Sequence, residues 1–134
     1  MNSQLLLDRP QPREFVLCRI PLSDSRSNAP ADRWHAVVVL GVSENYKGDV
    51  VVHVVGTTSK VSGKSTRVAV RAASPEGQRA GAKKDFEICC EWQREVPLTP
   101  EYFGEELSIK GTLHPRLDGA IAGAVQALAK LYRA

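Results

Sequence analysis

The spacing of apolar residues changes along the chain, and each change predicts an element. "FVLCRI" (15–20) mixes apolar residues with Arg19 and reads as a short strand. "HAVVVLGV" (35–42) is apolar at successive positions, so both of its faces should be buried. "VVVHVV" (50–55) is almost entirely β-branched. The stretch "SENYKGD" between these two runs has turn composition, which predicts an antiparallel pair. "STRVAVRA" then alternates, with Val68 and Val70 inward and Arg67, Ala69 and Arg71 outward. "DFEICCEW" alternates again, placing Phe86, Ile88 and Cys90 on one face and Glu87, Cys89 and Glu91 on the other. Pro97 and Pro100 limit the next segment to a short strand or one helical turn. Near the end the period lengthens. Leu117, Ile121, Val125, Leu128 and Tyr132 recur every three or four residues, an amphipathic helix with Pro115 in its first turn and Thr112 or His114 as cap. Gly119, Gly123 and Ala127 form a small-residue strip on that helix, suited to a close backbone neighbour or simply tolerated there.

Two segments break the periodic pattern. Residues 21–34, "PLSDSRSNAPADRW", exceed a hairpin connection and read as a functional or mobile loop. Residues 73–84, "ASPEGQRAGAKK", also read as a loop. The outline is five or six mostly antiparallel strands and a C-terminal helix: a mainly β domain over 13–134, curled into a small barrel, after an N-terminal tail of residues 1–12.

Composition narrows the class. A chain of 134 residues with 43% hydrophobic content suits one domain with a sizeable core. Its apolar runs are too short for a bilayer span, and the start, "MNSQLLLDRPQPRE", lacks the features of a signal peptide, so a cytoplasmic protein off the membrane is expected. Cys18, Cys89 and Cys90 have no metal-ligand spacing, so we expect buried thiols in a reducing compartment, with no metal and no cofactor. Net charge is only +3, but the signs are segregated. Lys60, Lys64, Arg67, Arg71, Arg79, Lys83 and Lys84 face Glu76 alone, whereas Asp85, Glu87, Glu91, Glu95, Glu101, Glu105 and Glu106 face Arg94 alone. That predicts one positive and one negative face, or two ordinary solvated surfaces.

The candidate chemistry begins where the third apolar run ends, in Gly56, Thr57, Thr58, Ser59 and Lys60. This is either a plain hydroxyl-rich turn or a place where N–H groups, hydroxyls and a cation meet an anion. Four stretches in order, "EFVLCRIPLSDS", "HAVVVLG", "VVGTTSK" and "KGTLHPRLDGAIAGAVQALAKL", resemble the PemK/MazF family of toxins, which share an SH3-like barrel with CcdB. The likeness spans most of residues 13–132, and its weight lies in order and spacing. It implies metal-independent cleavage of single-stranded RNA, a homodimer with RNA in a groove across its interface, and a partner antitoxin that blocks the groove. It also implies a functional threonine, which falls on Thr57 with Thr58 as the near alternative. The family's arginine position falls on His35 and its proline on Ala36, with Arg33 two residues earlier. Histidine then does the acid–base work, or Arg33 reaches in from the loop, or activity is lost.

Cleaving RNA without metal needs a base for the 2′-OH, an acid for the leaving 5′-oxygen and positive groups around the phosphorane. Histidine suits a proton role, arginine a bidentate phosphate contact. The sequence-level assignment is therefore Arg33, His35 and Thr57 as catalytic residues. Trp34, Thr58, Ser59, Lys60, Lys64 and Arg67 would bind RNA, Trp34 by stacking or else by covering a barrel end. Gly56 would admit the phosphate to the backbone. His53 and Trp92 read as structural, and His114 as a helix start. The competing classes are a catalytically inactive module that binds nucleic acid or protein, and a protein-interaction domain using the Gly119/Gly123 face.

Overall fold

The computed structural model describes residues 8–133, with side chains through Lys130. The elements in chain order are β1 (Glu14–Cys18), β2 (His35–Glu44), β3 (Val50–Thr58), β4 (Arg67–Val70), α1 (Pro75–Arg79), β5 (Phe86–Pro97), α2 (Pro100–Phe103), β6 (Ile109–Thr112), a 3-10 turn (Pro115–Leu117) and α3 (Asp118–Arg133). The strands form one antiparallel sheet in the order β4-β5-β3-β2-β1-β6.

Both faces of the central strands are buried, as the unbroken apolar runs require. In β2, Val37 and Val39 join Val16, Val52, Val54 and Val96 under Ile20 and Phe103. Val38 points the other way and joins Phe15, Val55, Ile88 and Cys90 under Ala80, Leu113 and Ala124. Each buried valine contributes about 1.5–3 kcal/mol relative to exposure. Register shifts after Val39 in β2 and after Val55 in β3 add local twist. The sheet nevertheless stays open. Its edges, β4 and β6, are four residues each and do not pair, so the expected barrel closure is not formed. Short edge strands limit the unpaired backbone that closure would otherwise remove.

The C-terminal helix docks on a slightly different row from the one its apolar spacing suggests. Leu117, Ile121 and Ala124 face the second cluster, while Val125 is 39% exposed. Tyr132 lies outside the described side chains. A Cβ at Gly119 or Gly123 would meet nothing within 4 Å, so these two glycines have no close neighbour among the described residues. His114 accepts a hydrogen bond from the Arg116 N–H at 3.0 Å and caps the turn, as expected. Arg13, held at φ 73 with its N–H on the Val39 carbonyl, pairs with Asp118 at the start of α3.

Residues 73–84 are not a plain loop. Ser74 caps α1 and Pro75 occupies its first turn. Gly81, at φ +74, then ends it: Ala82 N–H bonds the Gly77 carbonyl and Gly81 N–H that of Gln78, a Schellman motif. A five-residue helix is too short for periodicity to register.

Glu87 departs furthest from its pattern. Alternation places it outward, yet it is 1% exposed. The loop between β3 and β4 folds over it. Its carboxylate accepts from the N–H groups of Ser62 (2.9 Å) and Gly63 (2.8 Å), the Ser62 hydroxyl (3.0 Å) and Arg67 (3.3 Å). Burial alone would raise its pKa, but these four donors outweigh burial and hold it below the ordinary glutamate value. A depressed folded pKa gives stability that is full above the unfolded value, about 4.3, and is lost as pH falls through the folded value. Glu87→Ala leaves the Ser62 and Gly63 N–H groups without their acceptor while Arg67 keeps Glu91, and should cost about 1–3 kcal/mol at pH 7; the loss of stability on acidification should be smaller in the variant than in wild type. Urea unfolding at pH 7 and pH 3 measures both.

Candidate functional site

Antiparallel pairing sets the start of β2 beside the end of β3, with Val37 opposite Gly56. Next to this junction lies a cleft of about 480 Å³. Trp34, His35 and Ala36 line it from the β2 side, and Thr57, Thr58 and Ser59 from β3. Lys83 and Lys84 reach it from the segment after α1, and Lys110 from β6. Phe15 and Phe86, stacked at 5.1 Å, lie among its apolar lining. The lining contains three lysines and no carboxylate, so its field is positive.

His35 is half-buried, its ring edge-on to Trp92 with centroids 5.4 Å apart. Its Nδ1 is shut off from solvent and has no hydrogen-bond partner among the described residues. Leaving a buried polar group unpaired costs about 1–3 kcal/mol, which marks this nitrogen as the unusual group of the cleft. Thr57 is 7% exposed and donates its hydroxyl proton to the Ala36 carbonyl at 2.6 Å. Its oxygen is left to accept, not to donate. Thr58 accepts from the Lys60 N–H at 3.1 Å, and its own hydroxyl proton has no acceptor among the described residues.

Gly56 serves a different purpose from the one its sequence context suggests. A Cβ there would stand 2.1 Å from Trp92 Cε3. The glycine makes room for the indole, not for a phosphate. Trp92 in turn packs on the first core cluster, donates to the Pro21 carbonyl at 2.8 Å and lines the cleft. Trp34 is 47% exposed, with the Arg19 guanidinium 5.9 Å from its ring centroid. His53 is half-buried within β3 and bonds Gln93 at 2.9 Å, the structural place expected of it.

The remaining site residues divide. Ser59 lines the cleft, but Lys60 and Lys64 do not. Arg67 is spent internally: it holds Glu91 at 2.9 Å and Glu87 at 3.3 Å, with its side chain 16% exposed. Arg33 lines a neighbouring cavity, and His35 borders both. Lys110 is the lining cation that sequence reading passes over. A Cβ on Gly81 would lie 2.3 Å from the Lys110 carbonyl, so this glycine lets the α1 turn touch β6 and brings the three lysines together. That approach of the α1 turn to β6 joins positions far apart in sequence, which a local pattern does not show. Among the described residues, no group of three or more His, Cys, Asp or Glu side chains could hold a metal ion, and no helix is long and apolar enough to cross a membrane.

Gly56→Ala should destabilise the protein by about 1–3 kcal/mol through overpacking, and should shift the tryptophan emission as Trp92 is displaced. Thermal unfolding and fluorescence spectra check this; unchanged spectra and stability would refute the role assigned to Gly56.

Compared with known proteins, the chain matches no protein-family model, and no curated protein is significantly similar to it.

Proposed function

We propose that this protein is a PemK/MazF-like, metal-independent endoribonuclease that binds single-stranded RNA in the lysine-lined cleft. The observation that carries the reading is a half-buried histidine, His35, lining a cleft that gathers Lys83, Lys84 and Lys110 without a carboxylate. Lysines attract the phosphate backbone whatever its sequence. Trp34 offers an exposed ring for a base. In the cleavage step the 2′-oxygen attacks the adjacent phosphorus and gives its proton to His35. The bond to the 5′-oxygen breaks, that oxygen takes up a proton, and a cyclic phosphate remains on the other fragment. The lysines and the Thr58 hydroxyl stabilise the phosphorane charge, while Thr57 fixes the β2–β3 junction. A cytoplasmic homodimer, an antitoxin partner and kinship with SH3-like barrels belong to the same proposal. The open sheet with its C-terminal helix supports the kinship only at the level of a mainly β architecture.

A second reading is binding without cleavage. It is favoured by Thr57, whose proton is committed to Ala36, and by Arg33, which lines the other cavity. One experiment separates the two. End-labelled single-stranded RNA incubated in EDTA should be cut to fragments ending in cyclic phosphate. His35→Ala should slow cutting by about 10²–10⁴-fold with little change in affinity. Tight, salt-dependent binding of intact RNA selects the second reading. Absence of both binding and cleavage defeats the proposal.

A further inference from the structure

The cavity on the far side of His35 has a different chemistry from the lysine cleft. It measures about 550 Å³ and is lined by Leu22, Ser25, Pro30, Asp32, Arg33 and His35, among others. All but His35 belong to the long segment 21–34, whose composition suggested mobility. That segment is instead tied down. Arg94 donates to the Leu22 and Ser25 carbonyls at 2.6 Å each. Asn28 donates to the Glu95 carbonyl at 3.0 Å, and Tyr102 donates to the carbonyl of Asn28. Arg19 Nε donates to the Ala31 carbonyl at 2.7 Å, and Ala31 N–H returns a bond to Arg19 at 3.0 Å. The cavity is therefore preformed, with little left to order when a ligand enters.

The lining hydroxyls of Ser25 and Ser27 are bonded within the loop, but its two charged side chains are unspent. Neither Asp32 nor Arg33 has a hydrogen bond or ion pair among the described residues, and both are exposed. A phosphate subsite would not carry a carboxylate next to its cation. A base edge, by contrast, needs donors and acceptors together. Guanine presents N7 and O6 as acceptors, which match a guanidinium fork, and N–H groups on its other edge, which match a carboxylate. Leu22, 51% exposed, and Pro30 supply apolar surface for the base plane.

We infer that this cavity is a base-reading subsite for guanine, beside the phosphate held in the lysine cleft, with Arg33 and Asp32 as its specificity-determining residues. The inference rests on the RNA reading above and adds a division of labour. The lysine cleft sets affinity and the Arg33 cavity sets sequence preference, with His35 at their border.

The test measures binding of fluorescent eight-residue oligouridylates carrying one central G, A or C, by anisotropy across a salt series. Wild type should prefer the G oligonucleotide by roughly ten- to a hundredfold. Arg33→Lys keeps the charge but loses the fork, and should abolish the preference while leaving the salt slope unchanged. Asp32→Asn should weaken the preference in the same way. Lys83→Ala should weaken all sequences alike and lower the salt slope by about one, with the G preference intact. Equal binding of the G, A and C oligonucleotides by wild type, or a preference that survives Arg33→Lys, overturns the guanine subsite and leaves RNA binding standing. Failure to bind any of them overturns the RNA reading as well.

Discussion

Burial of both faces of β2 and β3 constrains everything else in this molecule. Val37, Val38 and Val39 are each fully buried although they alternate in direction, and Val52, Val54 and Val55 repeat the arrangement one strand over. A strand packed on both sides cannot present chemistry along its length, because any polar side chain there would need a buried partner. Functional groups are confined to strand ends. Antiparallel order then decides which ends meet, and it joins the His35 start of β2 to the Thr57–Thr58 end of β3. The junction is held by the Thr57 bond to Ala36 and shaped by the indole of Trp92 lying on Gly56.

Charge follows the same logic of partners. The sign segregation along the chain suggested one positive and one negative face, but the fold interleaves the two. Glu87 and Glu91 neutralise Arg67, and Glu76 meets Arg116 at 3.3 Å. Arg94 is consumed by loop carbonyls. What remains unneutralised at the cleft is a small set of lysines, and these come from places far apart in sequence. Arg67 and Arg94 are structural cations and the lysines of the cleft are free ones, as their geometries favour: a planar fork suits several fixed acceptors, a flexible ammonium suits solvent or a mobile anion.

Two adjacent cavities with different chemistry meet at one histidine. On one side the walls are lysine and aromatic, on the other a pinned loop carrying an arginine and an aspartate with no partner among the described residues. The ties from Arg94, Asn28, Tyr102 and Arg19 turn a segment with the composition of a flexible linker into a wall. Its backbone polar groups are satisfied by side chains of distant elements, which local composition cannot reveal.

The chain's own pattern determined the strands from β1 to β5, the antiparallel β2–β3 pair, the C-terminal helix and the closeness of His35 to Thr57, because side-chain period and a short turn fix these locally. It predicted a loop over residues 73–84 and missed α1, because a helix that brief leaves no periodic trace. Tertiary structure alone decided that Glu87 turns inward, since the donors that make its burial tolerable come from the loop at Ser62 and Gly63. It alone decided that Gly56 accommodates Trp92, that Arg67 is occupied and that Lys110 joins Lys83 and Lys84. Each of those outcomes depends on which distant group arrives as a partner, and a hydrogen bond, an ion pair or a steric contact is a property of two positions that a single run of residues does not encode.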